Sequence, residues 1–221
     1  HSHCRIFEGE NGYARVTLEN GDRVFLGSNK GGIAKEKSWD FVKNDLDYIK
    51  EFSIIHTSLN SYIEDDLAEL KKFNVPISFD FSVRWNDEYL EKVCKYVDIS
   101  FLSCSHLSDE ERKSEMLKAQ NYGAKIVVGT VGENGSYALY KDNWLYQPAV
   151  LTEAVDTMGA GDSYLTAFLV EMVKSSENNK FFVDNDSNMI NRIKASMEKG
   201  ADFAAKICKI NGAFGHGTEI I

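Results

Sequence analysis

The rhythm of apolar and polar positions along the chain changes near residue 34. Before it, Tyr13–Leu18 and Arg23–Leu26 each alternate apolar with polar residues, and Asn20-Gly21 falls between them. An Asn-Gly pair in that position predicts a β-hairpin, because both residues tolerate the positive φ of a tight turn. Beyond it, short apolar runs alternate with longer amphipathic segments. Strands are expected at Phe52–His56, Pro76–Asp80, Val97–Leu102 and Lys125–Gly129. Helices are expected at Tyr62–Phe73, Asp87–Lys95 and Asp109–Asn121, the last ended by Gly123. Such alternation implies βαβ units. Ser136–Tyr140 and Trp144–Gln147 read as an antiparallel hairpin, and two helices, Ala160–Lys174 and Ser187–Ile210, close the chain. The expected class is α/β: a doubly wound, mainly parallel sheet with helices on both faces. Residues 1–33 form a small β unit and residues 34–221 the α/β body.

Composition narrows the function classes. With 43% hydrophobic and 27% charged residues, the chain is neither disordered nor collagen-like. Its 25 Lys+Arg against 34 Asp+Glu leave a net charge of −9, which argues against a nucleic-acid partner. No run approaches the roughly 20 apolar residues of a membrane span. Cys4, Cys94, Cys104 and Cys208 lack C-x-x-C spacing, a usage that suits a reducing, cytoplasmic setting. Cys104 and Cys208 are expected as small hydrophobes, and Trp39, Trp85 and Trp144 as core or edge aromatics.

The chemistry concentrates in Asp156-Thr157-Met158-Gly159-Ala160-Gly161-Asp162-Ser163. Small residues where a loop enters a helix let the backbone approach a ligand, and the free N–H groups with the helix dipole attract an anion. A carboxylate at such a cradle repels phosphate. Asp162 therefore reads in one of two ways. It is a base taking a proton from an attacking hydroxyl, or it is the N-cap of a tight turn. His56 and Asn60, beyond the carboxyl end of an apolar strand, stand where sheets of this class bind ligands. Each reads as a substrate contact or as a structural residue. Arg84 reads as a planar partner for phosphate oxygens or as a solvated loop cation.

The complete D-T-x-G-A-G-D stretch resembles the signature of the PfkB/ribokinase family of sugar and nucleoside kinases. Thr130-Val131-Gly132-Glu133-Asn134-Gly135 resembles the family's T-x-G-x-x-G loop, and the opening hairpin its lid. Within the family, Phe79-Asp80-Phe81-Ser82, Gly132-Glu133-Asn134-Gly135-Ser136 and Gly212-Ala213-Phe214-Gly215-His216-Gly217 are most similar to fructoselysine 6-kinases. The resemblance implies a ribokinase-like fold and phosphoryl transfer from ATP, with Mg²⁺, to a sugar hydroxyl, the 6-hydroxyl of a fructosamine. It implies Asp162 as base and Gly159, Ala160 and Gly161 as anion hole. Thr130, Gly132 and Gly135 would border the nucleotide, with Asp156 and Thr157 beside them. Independently of the resemblance, Arg84, His56 and Asn60 are expected at the acceptor from their places beyond the strand ends.

Departures accompany the likeness. Ser82 stands where the family pattern D-x-N-x-R has Asn, and Ser103 and His106 stand at the N-x-x-E positions that help organise Mg²⁺. The metal ligands therefore stay unassigned. Lids of this family often pair between subunits, which implies a homodimer. The family's opening stretch, with an acidic sugar ligand and a Gly-Gly-Asn loop, is not found before the hairpin, so the chain is expected to lack an N-terminal segment. Rival readings are a kinase for another sugar or a nucleoside, and a non-catalytic nucleotide-binding fragment.

Overall fold

The computed structural model describes residues 3–19, 22–37, 45–176, 181–182 and 185–216. The Asn20-Gly21 turn, Trp39 and Gly217 lie outside them. The alternating runs at the start form strands β1 (Ala14–Glu19) and β2 (Asp22–Ser28), paired antiparallel with an irregularity between Arg15 and Val16. This ribbon is a sheet of its own. Two short helices follow, α1 (Gly32–Glu36) and α2 (Leu46–Ile49). The ribbon's base meets the body where the Tyr62 hydroxyl donates to the Lys30 carbonyl at 2.6 Å. Gly31 makes that approach possible, since a Cβ there would sit 2.3 Å from the Tyr62 ring.

The body is a six-stranded sheet in sequential order. Strands β3 (Ile55–Ser58), β4 (Ile77–Asp80), β5 (Ile99–Ser103) and β6 (Ile126–Thr130) are parallel. Strands β7 (Ser136–Tyr140) and β8 (Asn143–Gln147) continue it antiparallel. Crossovers through α3 (Leu67–Lys71), α4 (Asp87–Cys94) and α5 (Asp109–Asn121) cover one face, where Phe79, Leu102, Val127 and Leu139 bury. The last two helices, α6 (Ala160–Lys174) and α7 (Asp186–Ile207), cover the other, where Ile99, Phe101, Val128 and Phe168 bury. Parallel strands covered on both faces read as unbroken apolar runs because neither set of alternate side chains meets water.

Local chemistry explains where the elements start and stop. Helix α5 begins in a capping box: Ser108 Oγ accepts the Glu111 N–H, and Glu111 Oε2 accepts the Ser108 N–H. Asn86 and Asn185 cap α4 and α7 with one bond each, their Oδ1 atoms accepting the Tyr89 and Asn188 N–H groups. Strand β3 begins at Ile55 rather than Phe52, because the ladder opens with the Ile55 N–H on the Pro76 carbonyl and Phe52 lies exposed outside it. The helix expected from Tyr62 begins later, since Tyr62 adopts φ 54°. A 3₁₀ turn, Glu64–Asp66, leads into α3 instead. Helix α7 stops at Ile207, short of Ile210, so that Cys208 can turn the chain back toward the site. Cys104 is buried, Trp85 packs half-buried against the core, and Trp144 is partly exposed on β8.

At the amino ends of the parallel strands, buried Asp98 ties three segments together. It accepts from Lys71 Nζ (2.7 Å), Lys125 Nζ (2.9 Å) and the Ile77 N–H (3.0 Å). Burial raises the Asp98 pKa, but the three donors outweigh it and hold the carboxyl below its ordinary 3.8. The folded state therefore binds this proton more weakly than the unfolded one. The resulting stabilisation is complete above 3.8 and is lost as pH falls through the lower folded value. Asp98→Asn should cost about 2 kcal/mol at pH 7. In urea titrations, the gap between variant and wild type should close as the wild-type carboxyl protonates.

Candidate active site

The carboxyl ends of the parallel strands and the amino end of α6 face one another, and the loop between β8 and α6 is shaped by Asp156. This residue is 1% exposed. Its Oδ1 accepts the Met158 N–H at 2.9 Å and its Oδ2 the Gly212 N–H at 2.7 Å. The N–H groups of Val155 and Asp156 both donate to the Cys208 carbonyl. The loop is thereby fastened to the end of α7 and to the turn at Gly212–His216. Asp156, expected beside the nucleotide, points into the protein and holds the loop from within, while Thr157 next to it is exposed.

Gly159 caps α6 at φ 78°, ψ 4°, the left-handed region that favours glycine. A Cβ there would also lie 3.4 Å from the Phe214 ring. The Ala160 N–H turns back to the Thr157 carbonyl at 3.2 Å, and Ser163 returns to the Gly159 carbonyl through both its N–H (2.8 Å) and its Oγ (2.7 Å). The N–H groups of Gly161 and Asp162 have no acceptor among the described residues. A Cβ on Gly161 would meet nothing within 4 Å. Free amides over open space at a helix amino end, with an exposed Asp162 carboxylate beside them, form a cradle for an anion and a base together.

The two-residue period of the strands turns His56, Ser78 and Asp80 toward the α6 face. His56 Nδ1 lies 2.8 Å from Ser78 Oγ. Crowding by protein lowers the His56 pKa; the negative charge of Asp162 works the other way and does not offset it. The imidazole is therefore neutral at pH 7. Burial raises the pKa of Asp80, the Ser82 N–H (2.8 Å) counteracts this, and the charge of Asp162 raises it again. His56 and Asp80 thus both feel Asp162. Asp80 joins the site residues read from the sequence; a carboxylate ending an apolar strand is the signal that marks it.

Arg84 and Asn60 meet each other: Arg84 Nη2 donates to Asn60 Oδ1 at 2.6 Å. Thr130 ends β6, and Gly132–Asn134 makes a 3₁₀ turn after it. Gly135, at φ 88°, has no room for a side chain, since a Cβ would fall 2.2 Å from the Gln147 carbonyl oxygen. This loop is coupled to α6 through Ser136 Oγ and the Tyr164 hydroxyl, 2.7 Å apart. Ser103 ends β5, and the exposed His106 ring stands 5.8 Å from Trp85. Among the described residues no three His, Cys, Asp or Glu side chains converge as metal ligands.

A model of the pfkB family of carbohydrate kinases matches residues 1–207. The chain belongs to that family. It is 40% identical to the fructosamine kinase FrlD of Bacillus subtilis (strain 168) over 216 residues, covering 97% of this chain and 70% of that protein. It is 31% identical to the fructoselysine 6-kinase of Escherichia coli (strain K12) over 170 residues, covering 76% of this chain and 63% of that protein. Its fold matches the ribokinase of Giardia lamblia with a TM-score of 0.77 at 16% identity, over 95% of this chain and 69% of that one. It matches Arabidopsis thaliana ribokinase, solved with ribose and ATP, with a TM-score of 0.73 at 20% identity, over 94% and 66%. At these identities the structures speak for the ribokinase-like fold alone.

The two glycines of the cradle should respond in opposite directions. Gly159→Ala should lower stability by about 1–2 kcal/mol, because alanine pays the left-handed penalty there. Gly161→Ala should leave stability unchanged or raise it by up to about 1 kcal/mol, through better helix propensity with no steric conflict. Thermal melts of the two variants check this.

Proposed function

We propose that the protein transfers the γ-phosphoryl group of ATP to a sugar hydroxyl, and that the acceptor is a fructosamine such as fructoselysine, phosphorylated at the 6-hydroxyl. The observation that carries this reading is the placement of the Asp162 carboxylate beside the unpaired Gly161 and Asp162 amides. An anion cradle alone would bind phosphate. A carboxylate at its rim supplies what phosphoryl transfer to an alcohol also needs, a base. The names of the two relatives, at 40% and 31% identity, support the fructosamine acceptor.

In this reading Asp162 accepts the hydroxyl proton as the oxygen attacks. The two free amides and the amino end of α6 stabilise the charge that develops on the transferred group. Gly159 and Ala160 set the turn that aims them. Neutral His56, oriented by Ser78, hydrogen-bonds the acceptor without adding charge beside Asp162. Thr130, Gly132 and Gly135 border the nucleotide, with Thr157, and Asp156 contributes through the loop it holds. Bound Mg²⁺ would neutralise the phosphate charge. The carboxylate of Asp80, an oxygen donor that suits a hard cation, would hold it together with water, leaving Asp162 to act as the base. The β1–β2 ribbon, with Val24 and Leu26 exposed, serves as the lid, and its open edges suit pairing with a second copy. No helix among the described residues is long and apolar enough to cross a membrane. The cysteine usage, without C-x-x-C spacing, favours a cytoplasmic enzyme.

Asp162→Asn should preserve ATP binding measured by calorimetry and reduce kcat by about 100- to 10,000-fold. Wild-type turnover in that variant would remove Asp162 from the mechanism. ADP release across a panel of fructosamines, free sugars and nucleosides should favour the fructosamine. Equal activity on fructose, ribose or a nucleoside would reassign the acceptor, and ATP binding without ADP release on any of them would mark a non-catalytic protein.

A further inference from the structure

A cleft of about 580 Å³ opens where β3 and β4 end. Leu59, Arg84, Trp85, Glu88, Tyr89 and Lys92 line it. It stands at the same strand ends as the reaction site, on the α4 side of the sheet. Leu59 follows β3 and its N–H donates to the Asp80 carbonyl at 3.1 Å, while Arg84 lies in the loop that leaves Asp80.

The charges in this cleft are unevenly satisfied. Lys92 is paired with Asp65 at 2.7 Å, and the Tyr89 hydroxyl donates to the Glu64 carboxylate. Arg84 is steered by Asn60 through Nη2, and the rest of its guanidinium has no acceptor among the described residues. Glu88 has neither an ion pair nor a hydrogen bond among them. An acid in the first turn of α4 complements the helix dipole. That accounts for Glu88 alone. It leaves unexplained an arginine held in place on the wall of the same cleft, with the apolar surfaces of Leu59, Trp85 and Tyr89 between and around them. A cation and an anion without a counter-charge among the described residues, beside an apolar wall, match a zwitterion carried on a hydrocarbon stem.

We infer that this cleft takes the amino-acid end of a fructosyl amino acid, with its α-carboxylate on Arg84, its α-ammonium on Glu88 and its methylenes against Leu59, Trp85 and Tyr89. The inference rests on the fructosamine reading above and adds to it the recognition of the part of the acceptor that does not react. Arg84 is thereby assigned to the acceptor's far end rather than to phosphate. A planar, two-pronged donor suits a carboxylate as well as it suits a phosphate, and here Asn60 fixes its plane.

Steady-state kinetics with two acceptors test this. One is fructoselysine. The other is the fructosamine of 6-aminohexanoate, which keeps the stem and carboxylate and lacks the ammonium. Wild type should show a KM roughly fivefold lower for fructoselysine, the size expected of a partly exposed ion pair. Glu88→Gln should erase that difference by raising the fructoselysine KM, with kcat and the KM for the second acceptor unmoved. Glu88→Asp should restore part of it. An equal effect of Glu88→Gln on both acceptors, or no effect on either, overturns the inference and leaves the fructosamine reading standing. Failure of wild type to phosphorylate either acceptor, with turnover of another sugar, overturns both.

Discussion

A carboxylate buried to 1% exposure is the constraint on which the site depends. Removing Asp156 from water is costly unless donors replace the water, and backbone N–H groups do so here, each such bond to a charged group contributing about 1.5–3 kcal/mol. Those donors come from places far apart in the chain: Met158 within the loop and Gly212 beyond the last helix. The carboxylate can be satisfied only when α7 has been laid against α6 and the chain has turned back at Cys208. The geometry of the anion cradle is therefore a consequence of completed tertiary packing.

The same dependence appears around α6. Its amino end is aimed by Gly159, and its second turn is tied to β7 by the Tyr164–Ser136 contact. Its carboxyl end is closed by buried Arg192, whose guanidinium donates to the carbonyls of Met172 and Phe181. Gly200 of α7 lets the Tyr164 ring approach, since a Cβ there would stand 2.9 Å from it. A helix secured at start, middle and end can keep two amides unpaired and facing the cleft, a state that a fraying helix end would relax. At the other end of the strands, Asp98 performs the equivalent duty for the sheet, leaving the carboxyl ends to carry ligands.

Some of this was legible from residue order. Helix α5 was readable at both ends, because the Ser108/Glu111 box and Gly123 (φ 130°) are local devices. Helix α6 and the small residues at its start were legible for the same reason. The start of β3 is not legible, because Phe52 looks apolar whether or not a partner strand stands beside it. Tyr62 reads as helical because nothing in its neighbours reveals a φ of 54°. Among site residues, Asp162 and the glycines could be named from their order. The inward direction of Asp156, the hydrogen bond between Arg84 and Asn60, and the convergence of Asp80 and His56 on Asp162 could not.

The division follows from the range of the interactions. Periodicity, caps, turn residues and a contiguous loop act within a few positions, so the α/β alternation, the opening hairpin and the stretch that carries the chemistry follow from residue order. Strand order, the facing of alternate side chains and the capture of Asp156 by Gly212, 56 positions away, depend on contacts between distant segments. Which carboxylate faces the anion cradle and which is buried to hold it is settled by packing alone. The physical reason is that burial and donor geometry belong to a place in space, and residues that share such a place need not be near in the chain.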